Sequence, residues 1–153
     1  MESNQAEQIT EILQEVLDKL GVESKIETDE GVRGKIFNIL SPDSNLLIGQ
    51  RGANLAALQQ VVNGIVFKKL QNIERFVIDV DDYRRKREWY LRETAKKAME
   101  QIKRTRRPVV LEPMSPSERR VIHAFLSEDF NFETESVGEE PHRRIVIRPK
   151  SGI

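Results

Sequence analysis

The chain has 153 residues, of which 38% are hydrophobic, and its 25 Lys and Arg balance 25 Asp and Glu. This length supports one or two small domains, and the absence of cysteine excludes disulfides, thiolate metal sites and cysteine nucleophiles. A cysteine-free chain fits a reducing compartment, and neither a signal peptide nor a membrane span is recognisable, so a cytoplasmic location without membrane contact is predicted.

The positive charge is concentrated in the middle of the chain. Residues 1–47 carry 4 basic and 10 acidic side chains (net −6), residues 48–110 carry 15 and 7 (net +8), and residues 111–153 carry 6 and 8 (net −2). A segregated basic block favours a polyanionic partner, because Lys and Arg that neutralise phosphates release counterions. Ordinary solvated helix faces are the alternative interpretation.

The first part of the chain predicts the order αββααβ. Hydrophobic periodicity and turn residues place a helix, two strands, two helices and a strand over residues 5–20, 22–28, 32–40, 41–48, 53–70 and 75–81. Asn4 and Glu7 have the spacing of a capping box for the first helix. The turn between the first two strands is expected at residues 29–31.

From residue 82 the pattern predicts one long helix that ends before Pro108. The Ser115-Pro116-Ser117-Glu118 segment is a capping box with proline at the first helical position. The other predicted elements are strands over residues 109–111, 132–137 and 143–147. The fold class is therefore α+β, with domains at residues 1–81 and 82–150 and a tail at residues 151–153.

Two glycines flank a short loop between the two central helices, Gly49-Gln50-Arg51-Gly52. Glycine permits conformations and close approaches that a side chain would prevent. The amides at the start of the next helix, the helix dipole and the Arg51 cation together favour a bound phosphate. A helix corner without a ligand is the alternative.

With its flanks, LIGQRGANL over residues 47–55, this loop resembles that of a type II KH domain. The resemblance implies a fold in which a GXXG loop clamps the backbone of single-stranded nucleotides. It implies RNA contacts from Gly49, Gln50, Arg51 and Gly52, with bases lying in an apolar groove at Ile48. Relatives often carry Lys where this chain has Gln50, so one phosphate contact of the family is in doubt.

The long helix carries a basic stripe. At about 100° per residue, four cations fall within roughly 20° of one line along the helix: Arg85, Arg92, Lys96 and Lys103. Trp89 lies beside this line, where an indole can stack on a base or on an arginine. Two alternatives stay open, namely a solvated face and a tryptophan that packs against the neighbouring domain.

Arg119 and His123 lie one turn apart on the helix that follows the capping box. The planar guanidinium donates to phosphates, and the imidazole donates, accepts or stacks, so the pair suits nucleic-acid contact. An outward orientation of both side chains is predicted for such contact, but Ile122 and Leu126 flank the same helix face, so partial burial is also expected. The alternative is a partly buried histidine that a backbone carbonyl satisfies.

The second domain resembles an R-three-H domain, named for its Arg-xxx-His motif, over residues 111–114, 119–123 and 134–147. The resemblance implies a contact surface that also includes Arg143 and Arg144. A KH domain followed by an R-three-H domain is the order of the bacterial Jag family, also called KhpB or SpoIIIJ-associated, and the match covers about residues 5–150. Members usually have a further N-terminal Jag-N domain, which this sequence does not contain, so it is a part of a longer protein or a short member.

The family resemblance implies a non-enzymatic protein without cofactor or metal. It further implies single-stranded RNA as ligand, a post-transcriptional regulatory role linked to cell elongation and division, and a small single-KH partner similar to KhpA. A protein-interaction adaptor is an alternative, because KH surfaces also dimerise. Under this alternative, the partner can be a second copy of the chain, which gives a homodimer.

An RNA-processing enzyme is the rival from another class. Its candidate residues are two histidines and an acidic cluster: His123, His142, Asp79, Asp81 and Asp82. The histidines lack the spacing of metal ligands, and Asp81 or Asp82 serves equally well as the cap of the long helix.

Overall fold

The computed structural model describes residues 1–150 and divides the chain into two compact units, with the division between Arg84 and Arg85. Each unit combines helices with a small sheet, so the predicted α+β class is confirmed. The predicted tail at residues 151–153 lies outside the described residues. Within residues 1–150, no helix combines the length and the apolar character that a membrane span requires.

The first unit has the predicted order of helix, two strands, two helices and strand. Its elements are α1 (Ser3–Lys19), β1 (Lys25–Gly31), β2 (Gly34–Leu40), α2 (Ser44–Ile48), α3 (Ala53–Lys69) and β3 (Phe76–Val80). Strand β2 is central, because it pairs antiparallel with β1 and parallel with β3. A parallel pair requires a crossover connection, and α2 and α3 provide it.

One hydrophobic core joins the helices of the first unit to its sheet. Helix α1 contributes Ile9, Leu13 and Leu17 at helical spacing, and the rings of Phe37 and Phe76 meet edge to face at 5.7 Å. Helix α3 buries one face along its whole length through Leu55, Leu58, Val62 and Val66. This packing holds α3, and with it the glycine loop, against the sheet.

Some local predictions in the first unit are wrong. Helix α1 begins at Ser3, so Asn4 lies inside the helix and forms no capping box with Glu7. The β1–β2 turn comes later than residues 29–31, because Gly31 and Gly34 are cross-strand partners. Helix α2 also begins three residues later than expected.

The second unit is built on the long helix and a sheet in the order β4-β6-β5, with both strand pairs antiparallel. Its elements are α4 (Tyr83–Thr105), which belongs to this unit from Arg85 onward, β4 (Val109–Val110), α5 (Pro116–Leu126), β5 (Phe132–Val137) and β6 (Arg144–Pro149). Its core is formed by Leu91, Ala95, Ala98, Ile102, Ile122, Leu126, Ile145 and Ile147, among others.

The predicted capping box of α5 is confirmed. The Ser115 hydroxyl accepts from the Glu118 amide over 3.3 Å, and the Glu118 carboxylate accepts from the Ser115 amide over 3.2 Å. The same carboxylate accepts from Arg87 of α4 over 2.8 Å. The buried Glu118 therefore caps the start of α5 and also connects this helix to α4.

Candidate nucleic-acid interface

The glycine loop adopts a conformation that requires its glycines. Gly49 ends α2 with φ of 70° and Gly52 precedes α3 with φ of 81°, both in the region that L side chains disfavour. Arg51, between them, also has a positive φ of 54°. The chain therefore turns sharply enough to bring the end of α2 and the start of α3 to one place.

Two residues that the sequence analysis missed hold this loop. A Cβ atom on Gly49 would lie 2.6 Å from the Asn54 side chain, and one on Gly52 would lie 2.9 Å from the Tyr83 ring. The Asn54 amide donates to the Leu46 carbonyl over 2.8 Å and thereby joins α3 to α2. A contact from Asn54 to the preceding helix could be inferred from its position in the first turn of α3. The contact between Tyr83 and Gly52 could not, because it depends on the tertiary fold.

The tip of the loop is open to solvent. Gln50 and Arg51 are exposed, and within residues 1–150 no carboxylate pairs with Arg51. Ile48 is half-buried against the first core. The Gly52 amide donates to the Gly49 carbonyl over 3.4 Å and the Ala53 amide donates to the Gln50 carbonyl, so a single 3-10 turn, Gln50–Gly52, leads directly into α3. The exposed Arg51 cation therefore lies at the positive end of the α3 dipole, which is suited to bind a phosphate.

The predicted stripe on α4 is a mixed-charge face. Arg92 pairs with Glu88 over 2.7 Å, and Lys96 pairs with Glu93 over 3.0 Å. The Lys103 ammonium lies 6.0 Å from the centre of the Phe132 ring, and Arg85 is exposed. Part of the positive charge of the stripe is thus balanced by the helix itself.

Trp89 is 65% exposed on α4, which is unusual for the largest apolar side chain. Its neighbour Tyr90 is 45% exposed, and its ring lies 5.1 Å from the Arg87 guanidinium. An exposed indole among cations has the shape of a stacking platform for a flat ligand.

Arg119 does not point outward, so that expectation is wrong. Its side chain is only 9% exposed, its guanidinium donates to the Met114 carbonyl over 2.7 Å, and a second nitrogen pairs with Glu140 over 2.7 Å. Glu140 is half exposed at the turn between β5 and β6. Burial of a guanidinium requires such partners, and here the second one is a carboxylate at the surface.

His123 is half-buried and bridges two hydroxyls of β5. Its Nδ1 atom hydrogen-bonds with Thr134 Oγ1, and its Nε2 atom lies 3.0 Å from Ser136 Oγ. Burial lowers the pKa of His123 below its usual value, and the charge of Arg119 lowers it further. The ring is therefore satisfied by side-chain hydroxyls and not by the backbone carbonyl that the alternative interpretation named.

Arg143 and Arg144 lie at the end of the same hairpin, half-buried. Arg143 donates to the Gly138 carbonyl over 2.7 Å, and Arg144 donates to the His142 carbonyl over 3.3 Å. These neutral partners leave both guanidinium charges uncompensated. Arg143 lies three positions after Glu140 in the same connection, so it is in the segment that carries the partner of Arg119.

The acidic cluster at the end of β3 has a structural explanation. Asp79 is buried, and its carboxylate accepts from the amides of Val80 and Arg84, which caps the start of α4. Burial raises the pKa of Asp79, while those two hydrogen bonds oppose the shift. Within residues 1–150, no group of three or more histidines and carboxylates has an arrangement that could hold a metal ion, and Asp81 and Asp82 both adopt positive φ at the strand end.

Comparison with known proteins gives two findings. The family model of the R-three-H domain matches residues 90–149. The chain is also similar to proteins named RNA-binding protein KhpB from three bacteria. It is 39% identical to that of Clostridium symbiosum over 92% of this chain, 33% identical to that of Lactiplantibacillus plantarum over 86%, and 31% identical to that of Bacillus subtilis over 90%.

These relatives are longer than the chain. The matched region spans 64% of the Clostridium symbiosum protein, 41% of the Lactiplantibacillus plantarum protein and 67% of the Bacillus subtilis protein. The similarity therefore extends over nearly all of this chain and over about two fifths to two thirds of the length of these relatives.

Proposed function

Because the chain belongs to the KhpB family, we propose that it binds single-stranded RNA and catalyses no reaction. The observation that carries this proposal is the open glycine loop at residues 49–52, which places an exposed cation at the positive end of the α3 dipole. The αββααβ order and the mixed sheet of the first unit support its assignment as a KH domain. The name of the relatives supports RNA as the ligand.

In this proposal the loop binds the RNA backbone and not the bases. Phosphate oxygens lie at the positive end of the α3 dipole and accept from the Arg51 guanidinium, whose forked donors match a phosphate. Gln50 supplies a neutral donor. Gly49 and Gly52 let the backbone approach the main chain closely, and half-buried Ile48 offers apolar contact to a base.

The second contact surface is proposed on the R-three-H domain, around the hairpin that joins β5 and β6. Arg143 and Arg144 are oriented by carbonyl groups and keep their charge available. Arg119 becomes available only when a phosphate takes the place of Glu140, the more exposed of its two partners. His123 acts as a neutral group that orients Thr134 and Ser136.

The stripe on α4 contributes stacking more than charge. Trp89 offers an open π face, while Arg92 and Lys96 are already paired with glutamates. Arg85 and Lys103 complete the stripe. Contact at more than one of these weak sites would strengthen binding, since attachment at one site raises the effective concentration of RNA at the next.

The cellular role is proposed from the family. It comprises post-transcriptional regulation in the cytoplasm, linked to cell elongation and division, with a small single-KH protein similar to KhpA as partner. One structural observation supports a protein contact: a cavity of about 240 Å³ between α1 and α3 is lined by Ile12, Val16 and Ile65 together with Glu15, Lys19 and Lys69. The same cavity supports the second candidate function, an adaptor that binds protein or forms a homodimer.

The deciding experiment titrates the chain against a labelled single-stranded RNA of mixed sequence, about 16 nucleotides long, with magnesium and with a chelator. We expect saturable, salt-sensitive binding in both conditions and RNA of unchanged length on a denaturing gel. Shortened RNA in the magnesium sample would favour the processing enzyme. A chain that self-associates but leaves the RNA free would favour the adaptor.

A further inference from the structure

The turn between α4 and β4 presents three arginines to solvent. Arg104, Arg106 and Arg107 are all exposed, and within residues 1–150 no carboxylate pairs with any of them. None of the three is among the residues that the family resemblance indicates. They are the densest group of uncompensated cations in the basic middle of the sequence.

The turn is ordered by its own backbone and by one hydroxyl. The Thr105 hydroxyl donates to the Gln101 carbonyl over 2.9 Å and accepts from the Arg107 amide over 3.3 Å. The Arg106 amide donates to the Ile102 carbonyl over 2.7 Å. The Gln101 and Ile102 carbonyls are therefore satisfied without any guanidinium group, and within residues 1–150 no hydrogen bond joins the three arginine side chains to the helix end.

Arg106 has a φ of 62°, the left-handed conformation that follows many helix ends. Glycine adopts this conformation freely, whereas an L side chain is disfavoured in it. Fold stability alone would therefore favour glycine at this position. The arginine side chain needs another explanation, and a strained backbone position with an exposed functional group is typical of a binding site.

Several other cations of this unit are already paired with carboxylates. Arg92, Lys96 and Arg148 pair with glutamates, and Arg119 pairs with Glu140. A free guanidinium binds phosphate through two parallel donors, and each such contact releases counterions from the nucleic acid. The turn contains no aromatic side chain that could stack on a base.

We propose that Arg104, Arg106 and Arg107 form a site for the phosphate backbone of RNA, independent of base sequence. The proposal rests on the proposed function and adds to it a contact surface that neither the GXXG loop nor the Arg-xxx-His motif includes. Its chemistry is electrostatic, so it contributes to affinity and salt dependence and leaves sequence preference to the other surfaces.

The test compares wild type with a triple variant, Arg104→Gln, Arg106→Gln and Arg107→Gln, by RNA titration at several salt concentrations. We expect the slope of log affinity against log salt to flatten by about 2, from about 0.7 for each lost contact, with affinity weakened about tenfold or more. The matched control removes three cations that are paired with glutamates, through Lys25→Gln, Lys35→Gln and Arg148→Gln. The control should retain the wild-type slope.

A second variant, Arg106→Gly, separates binding from folding. We expect an unchanged or higher melting temperature, because the strain at φ of 62° is relieved, together with a loss of affinity of about twofold to fivefold. Wild-type binding that persists with the same slope in both variants would overturn this inference and leave the proposed function standing. No RNA binding by wild type would instead refute the proposed function itself.

Discussion

The Arg119 guanidinium lies 2.7 Å from the carboxylate of Glu140, although the two residues are 21 positions apart and belong to different elements. Arg119 is nearly buried and Glu140 is half exposed, so the carboxylate is the solvent-accessible partner of the pair. A phosphate carries the same kind of acceptor oxygens as this carboxylate. Arg119 can therefore bind a phosphate only if the Glu140 carboxylate moves away from it.

The first prediction concerns this competition. Replacing Glu140 by Gln removes the negative partner of Arg119, so we expect RNA affinity to rise by about twofold to tenfold, with a stability loss of about 1 kcal/mol or less. Glu139→Gln is the matched control, because it removes the same charge one residue away. Equal effects of both variants in an RNA titration would mean that only net charge matters and that Arg119 is structural.

The second prediction tests the tip of the glycine loop. The double variant Gln50→Asp, Arg51→Asp places negative charge where the phosphate is proposed to bind, so affinity should fall by about tenfold or more. The melting temperature should change little, since both side chains are exposed. The control Gln60→Asp, Lys68→Asp makes the same change of charge on the exposed face of α3. A folded loop variant that binds RNA like this control would remove the loop from the binding surface.

The third prediction concerns the glycine backbone itself. Gly52→Ala introduces a Cβ atom 2.9 Å from the Tyr83 ring at a φ of 81°, so we expect about 1–2 kcal/mol of destabilisation together with weaker RNA binding. Gly64→Ala is the contrast, because its Cβ would meet nothing within 4 Å in the middle of α3. That variant should gain roughly 0.5–1 kcal/mol, because alanine favours the helix. Urea unfolding of both variants gives the comparison, and equal stabilities would contradict the role of Tyr83.

The fourth prediction tests Trp89 as a stacking platform. Trp89→Ala should weaken RNA binding by about 1–3 kcal/mol, because a base loses its aromatic partner. Little change in unfolding free energy is expected, since the side chain is 65% exposed. Phe130→Ala removes another aromatic, 84% exposed, from a surface outside the proposed contacts. Quenching of Trp89 fluorescence by RNA is the direct measurement, and its absence would count against stacking.

The fifth prediction follows from the lowered pKa of His123. The folded state favours the neutral ring, so the stability that this residue contributes is present above the unfolded pKa of about 6.5 and is lost as the pH falls through the folded pKa. Between about pH 7 and about pH 5, the unfolding free energy of wild type should therefore fall more steeply than that of His123→Gln. Parallel pH profiles from urea unfolding would show that the ring does not titrate in the way proposed.

Features with local causes were predictable from the sequence. The capping box at Ser115 and Glu118 depends on two residues three positions apart, and it is present as expected. The same holds for the αββααβ order, because apolar spacing determines which helix face can be buried. The glycines at 49 and 52 indicated a tight loop, since glycine adopts a positive φ more readily than any other residue.

Other features depend on which distant residues the fold brings together. Arg119 has the local spacing of a surface motif, yet it is nearly buried because Glu140 and the Met114 carbonyl satisfy its guanidinium. His123 finds its partners on β5, at Thr134 and Ser136, and no periodicity along α5 predicts them. Exposure and pairing of a charged side chain are set by contacts across the core, so only the tertiary structure decided which of the predicted cations are free to meet a ligand.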